Sequence, residues 1–225
     1  GPEGAVKGDP YVFENQRGYR VSLEKAILHI GAVYLNRSTP TSVSQDTSCY
    51  LAGVYIAEVP GGLDVDVLDP EPQPFPVEGF ATTERATTAE IWLTGGPVDA
   101  ESDPTVIAQV VGVASKDGYE IPFEGAITIS DNRAVETTDP ALPGAKPICK
   151  QRVVSPIAVD ITPAEGGTLL VRVDPRDWFQ NVEFDLLEQA SDGLYQFRDD
   201  SEDQPSRNLY SGIRANADVY VLTFE

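Results

Sequence analysis

Apolar and polar residues alternate with a period of two along much of the chain. Tyr19, Val21 and Leu23 alternate with Arg20, Ser22 and Glu24, and Leu63, Val65 and Val67 with Asp64 and Asp66. Leu169, Val171 and Val173 alternate with Leu170 and Arg172. This is the period of a β-strand, whose successive side chains point to opposite faces. At Lys25-Ala26 the phase breaks, and an almost unbroken apolar run follows to Leu35. The break predicts one strand with a bulge, or two strands meeting in a bend. Ala26, Leu28, Ile30, Ala32 and Tyr34 then share one face, and Ile27, His29, Gly31, Val33 and Leu35 the other. Both faces are mostly apolar, so this strand is expected to be central. Further strands are predicted near residues 11–13, 49–59, 87–94, 104–114, 119–130, 151–161 and 218–224. Pro156 directs the 151–161 strand to an edge.

Glycine and proline punctuate these runs. Pro60-Gly61-Gly62 predicts a turn, and Lys116-Asp117-Gly118 a tight hairpin, because Asp-Gly accepts positive φ. Pro70, Pro72, Pro74 and Pro76 make an extended connector, and residues 36–48 and 131–147 read as long loops. Residues 166–187 form the expected plug of the core. Asp174 suits an N-cap, Pro175 suits the first helical position, and Trp178, Phe179 and Val182 follow at helical spacing. Residues 192–204 read as an acidic turn, after which Ser206 is expected to cap a second short helix. Together these predict an all-β fold, an antiparallel β-sandwich of roughly eight to ten strands with one or two short helices. The expected organisation is a flexible segment over residues 1–16 and a single domain over 17–225. No repeat of propeller or solenoid length is visible.

Charge narrows the partners. The chain carries 36 acidic against 16 basic residues, a net charge of −20. Such a field repels phosphate backbones and anionic membrane surfaces, so nucleic acid is excluded as an expected partner. Divalent cations and basic surfaces remain electrostatically favoured. No apolar run is long enough to span a membrane, so no transmembrane segment is expected. The two cysteines, Cys49 and Cys149, suit a single disulfide in an exported protein. In the chain-entropy picture, closing so long a loop stabilises by about 4–5 kcal/mol. The Gly1-Pro2 opening and the lack of methionine suggest a processed chain, with a lipid anchor conceivable at a removed N-terminus. The expected location is extracytoplasmic.

Candidate chemistry is sparse. His29 is the one histidine, so any histidine-based catalysis or ligation must use it. With one His, two cysteines expected to be bonded and no Met, copper or zinc finds few ligands, whereas calcium accepts oxygen donors. Asp199, Asp200, Glu202 and Asp203 form the densest acidic cluster. The Asp199-x-Ser201-x-Asp203 spacing opens like an EF-hand loop, but Gln204 stands where glycine is required and Tyr210 where glutamate is. Asp64 and Asp66 form a second acidic pair on one strand face. A solvated surface is the alternative reading of both groups. Abundant acids also leave room for a carboxylate-based hydrolase. Trp92 and Trp178 are expected in the core, while Tyr50, Tyr55, Tyr195 and Tyr210 are freer to form a binding platform.

The segments GYRVSLEKAILHIGAVYL, CYLAGVYIAEVPGGLDVDVL, EIWLTGG, PGAKPICKQR, DPRDWFQNVEFDLL and QPSRNLYSGIR resemble those of uncharacterised exported bacterial proteins, many of them lipoproteins. More distantly, the chain is similar to the methanobactin-associated copper-binding domain family. That similarity implies an exported β domain in which a tryptophan can be oxidised near copper, and Trp178 is the position to watch. The expected function is a non-catalytic binding or interaction protein of the cell envelope, with a protein or glycan ligand. A metal-binding protein and a carboxylate hydrolase are the alternatives.

Overall fold

A computed structural model describes residues 1–39, 53–96, 100, 103–129, 151–216 and 218–225. The strands are β1 (Tyr11–Glu14), β2 (Arg20–Asn36), β3 (Tyr55–Asp66), β4 (Phe80–Ala81), β5 (Ala86–Trp92) and β6 (Val106–Lys116). They continue with β7 (Tyr119–Thr128), β8 (Val153–Ile161), β9 (Leu169–Val173), β10 (Glu188–Gln189), β11 (Tyr195–Phe197) and β12 (Tyr220–Phe224). Among the described residues there are also one α-helix, α1 (Gln204–Ile213), and short 3-10 turns at Pro175–Phe179 and Phe184–Leu186. The fold is all-β and sandwich-like, as the strand periodicity predicts. No helix among the described residues is long and apolar enough to cross a membrane.

The architecture turns on β2, which runs for 17 residues. Its first half lies between β1 and β6, with Phe13↔Val21 and Val21↔Ala114 in register. Its second half lies between β3 and β5, with Val33↔Val59 and Val33↔Ile91 in register. One strand therefore serves two groups of neighbours, β7 and β11 extending the first and β8 the second. The register against β6 slips between Leu23 and Lys25, where the sequence breaks phase, so the bulge rather than the two-strand bend is realised. A second slip against β3, between Ile30 and Ala32, centres on Gly31. A Cβ there would lie 2.6 Å from the Thr94 carbonyl carbon, so glycine permits the close approach of the chain leaving β5.

This second bulge corrects the predicted faces. An inserted residue inverts the alternation. Beyond Gly31, Val33 and Leu35 are buried in the core and Tyr34 moves to the opposite face. Pro60-Gly61-Gly62 is likewise no turn. It lies inside β3, where Ala32 faces Pro60 and Ile30 faces Leu63, and Gly61 supplies the left-handed φ of +106°. The 116–119 hairpin has its predicted form, with φ of 53° at Asp117 and 85° at Gly118, the signature of a type I′ turn.

The plug forms from residues 169–187. β9 pairs with β12 as a separate two-stranded sheet. Asp174 then caps the 3-10 turn by accepting from the Arg176 amide at 3.0 Å. Trp178, Phe179, Val182 and Phe184 are fully buried. Phe179 and Phe184 pack with Phe123 and Phe197, ring centroids 4.9–6.2 Å apart. Asn15 binds the plug to the β1–β2 corner: its amide donates to the carbonyls of Phe179 (3.0 Å) and Val182 (2.9 Å). Its Oδ1 accepts from the amides of Arg17 and Tyr19, each at 3.0 Å. Residues 1–16 thus include β1 and this anchor. α1 closes the plug from outside. Its cap is Asp203, not Ser206: Asp203 accepts from the Ser206 amide at 2.7 Å and from its hydroxyl at 2.9 Å. The 192–204 stretch contains a strand that the sequence does not suggest, because β11 pairs in parallel with β7.

Candidate functional site: an aromatic face over a buried glutamate

Facing residues of paired antiparallel strands share a face. Tyr34 on β2 is opposite Glu58 on β3 and Glu90 on β5, and Glu58 is in turn opposite Phe80 on β4. The row Phe80–Glu58–Tyr34–Glu90 therefore crosses the sheet on the side away from the core. Tyr55 and Trp92 flank it. The Tyr34 ring meets Tyr55 edge-on at 5.3 Å and Trp92 at 5.6 Å. Phe80 is 76% exposed and Tyr55 41% exposed, so the patch is open at its β3–β4 end.

Beneath the rings lies Glu90, wholly buried. Its carboxylate accepts from the Trp92 indole N–H at 3.1 Å, the Asn36 amide at 3.2 Å and the Tyr55 hydroxyl at 3.4 Å. Asn36 is also buried, and its Oδ1 has no partner. No Lys or Arg among the described residues pairs with Glu90. Burial pushes the Glu90 carboxyl above its ordinary pKa, and the three donors pull it part of the way back. Tyr34 is raised as well, first by burial and then by the charges of Glu58 and Glu90 on either side of it.

The residues singled out in the sequence are dispersed. His29 Nδ1 lies 2.6 Å from Asp64 Oδ1 across the β2–β3 pair. Asp66 instead accepts from the Leu68 amide at 3.0 Å. Asp199 holds β7 through the Thr128 amide (2.7 Å) and hydroxyl (2.8 Å). Asp200 accepts from Arg198 at 2.8 Å and from the Glu202 amide at 3.0 Å, while Glu202 lies 3.6 Å from Arg198. Asp203 is the helix cap. Neighbours in sequence, these carboxylates turn to different partners, and no group of three His, Cys, Asp or Glu among the described residues is placed to hold a metal. Trp178 is fully buried, with Gly212 of α1 against its backbone. Cys49, Cys149 and Tyr50 lie outside the described residues. Tyr210 is buried in α1 rather than free.

Sequence reasoning missed the site because it assigned Trp92 to the core and kept Tyr34 in phase with Leu28. The signal available was Gly31, whose presence in an apolar strand marks a bulge. The buried Arg152, 3.4 Å from Asp103, was equally hidden among charged residues.

Comparisons with protein-family models, with curated proteins and with solved structures return no match.

Proposed function

We propose that the protein is a non-catalytic, exported recognition module of the cell envelope, binding its ligand on the aromatic face of β2, β3 and β5. The carrying observation is the grouping of exposed Tyr55 with the half-buried Tyr34 and Trp92, held from below by Glu90. Large rings exposed in a group are a recognition device, since each offers a rigid apolar face at low entropic cost. Glu58 and Glu90 lie on either side of Tyr34, about 10 Å apart by strand spacing. That separation approaches the range used by inverting glycosidases. A general acid must touch its substrate, however, and Glu90 has neither surface nor an uncommitted approach. Binding is the reading this geometry favours. Export is supported by the cysteine pair and by the resemblance to exported proteins. The acidic composition suits an interaction module that avoids anionic polymers.

Retention on purified envelope glycans and proteins tests the reading. Trp92→Ala and Tyr55→Ala are expected to abolish retention; each also takes a donor from the buried Glu90 and lowers the urea midpoint, so retention is measured on variants that circular dichroism shows to be folded. Retention that ignores both substitutions, or turnover of any bound polymer, refutes it. A thiol titration of the unfolded, unreduced chain tests export separately: two reactive thiols would remove the disulfide.

A further inference from the structure

We infer that the free edge of β1 is a second interaction surface, one that accepts an extended peptide carrying a lysine or arginine as an added strand. It lies at the opposite end of β2 from the aromatic face and does not depend on that site. In an antiparallel pair, alternate residues bond to the partner strand and the others point their N–H and C=O away from it. The register Phe13↔Val21, and the bond from the Asn15 amide to the Tyr19 carbonyl at 3.0 Å, set Tyr11, Phe13 and Asn15 toward β2. Val12, Glu14 and Gln16 therefore turn theirs outward, and the Gln16 amide does so onto the Gln180 carbonyl at 3.2 Å. The N–H and C=O of Val12 and Glu14 meet no partner among the described residues. Pro10, next in the same row, has no N–H. The open edge thus offers two donors and two acceptors, enough for about three residues of a partner strand.

Two other strands have their outer groups met from within the chain. The Asp66 amide and carbonyl of β3 are bonded by the Gln73 side chain at 3.0 and 2.8 Å, and the Pro156 carbonyl of β8 by Asn216 at 2.8 Å. Along β1 there is instead a groove of about 560 Å³, with Arg176, Asp177 and Gln180 of the 3-10 turn as its far wall. Phe13 packs on Phe179, ring centroids 6.0 Å apart, and so fixes that wall relative to the strand. A row of unpaired main-chain donors and acceptors is matched by another extended backbone, which is how strand addition works. Charge then selects the side chains. Glu3, Glu14 and Asp177 line the groove, and none of them forms an ion pair among the described residues. Arg176, the cation of the lining, is held by Asp174. A basic side chain on the added strand therefore finds three carboxylates. A second copy of the chain would bring another Glu14 to the groove and set two net charges of −20 against each other, so self-addition is disfavoured.

The test uses the whole chain, with the Val12 and Glu14 amide cross-peaks as reporters and the Trp92 indole as a control on the aromatic face. The probe is the blocked peptide acetyl-Thr-Val-Lys-Val-Thr-amide, titrated at constant ionic strength to remove general attraction to the acidic chain. The expected result is a saturable shift of Val12 and Glu14 with Trp92 unmoved. A copy of the peptide N-methylated at every amide keeps the charge, loses the main-chain donors and is expected not to bind. Norleucine in place of the peptide lysine weakens binding by up to about fivefold, the size of an exposed ion pair, and Asp177→Asn acts in the same direction. Val12→Pro removes one outward donor and no bond to β2, and weakens binding about tenfold. The inference is overturned if neither amide moves, if the N-methylated copy binds as well, if glutamate is accepted equally in place of lysine, or if Trp92 moves instead of Val12. A Val12 shift that follows protein concentration without peptide would give the edge to a second copy and overturn it too. The peptide comparisons are made on the unaltered chain, so they decide the matter whether or not Val12→Pro folds.

Discussion

Gly212→Ala sets two known effects against each other. In an ordinary helix interior, replacing Gly by Ala favours folding by about 1 kcal/mol. Gly212 lies within α1, so propensity alone predicts a gain. A Cβ at this position, however, would lie 2.6 Å from the Trp178 carbonyl oxygen, 2.7 Å from its Cα and 2.9 Å from the Asp177 carbonyl oxygen. All three atoms are backbone, so no side chain can swing away. Normal contact requires α1 to withdraw from the 3-10 turn by nearly 1 Å, and a gap of that size loses roughly a quarter to a half of the local dispersion energy. Trp178, Leu209 and Ile213 are fully buried and lose contact with the shift. Overpacking of this kind costs about 3 kcal/mol, which leaves a net destabilisation of about 2 kcal/mol after the propensity gain. For a chain of this size the melting temperature should fall by about 4–8 °C. Urea unfolding at an unchanged m-value measures it, with Gly95→Ala as the control, since no atom lies within 4 Å of a Cβ there. A Gly212→Ala midpoint equal to or above wild type would show that α1 does not pack on Trp178 as described.

Asn15→Ala removes four hydrogen bonds and leaves the Phe179 and Val182 carbonyls buried without partners, so a loss of about 3 kcal/mol is expected in the same urea assay. Because folding raises the Glu90 pKa above its ordinary 4.5, the folded protein holds this proton where the unfolded chain has released it. The stability from this group is present below 4.5 and is lost as pH rises through the folded value. The stability of Glu90→Gln relative to wild type should therefore be greatest at neutral pH and shrink toward pH 4.5, and a difference independent of pH would contradict the burial of the charge. Millimolar calcium and EDTA should both leave the melting temperature unchanged, because Asp199, Asp200 and Asp203 already serve Thr128, Arg198 and Ser206. A rise with calcium that Asp200→Asn removes would restore the acidic loop as a metal site.

The sequence by itself determined the fold class, because strand periodicity and turn chemistry are local properties. The 116–119 hairpin, the phase break after Leu23, the Asp174 cap and the buried pair Trp178 and Phe179 are all readable within a few residues. What lay beyond reach depends on which strands become neighbours. β11 pairs in parallel with β7 although some 70 residues separate Phe123 from Tyr195, and Asp203 displaces Ser206 as the helix cap through geometry rather than composition. The candidate site is the clearest case. Tyr34, Tyr55, Glu58 and Glu90 belong to three strands, and nothing in any one strand marks them. A second bulge, at Gly31, moves Tyr34 off the core face, and only pairing with β3 and β5 then sets two carboxylates beside it. Alternation fixes that a residue points to one side or the other, but register against distant strands decides which side is the core.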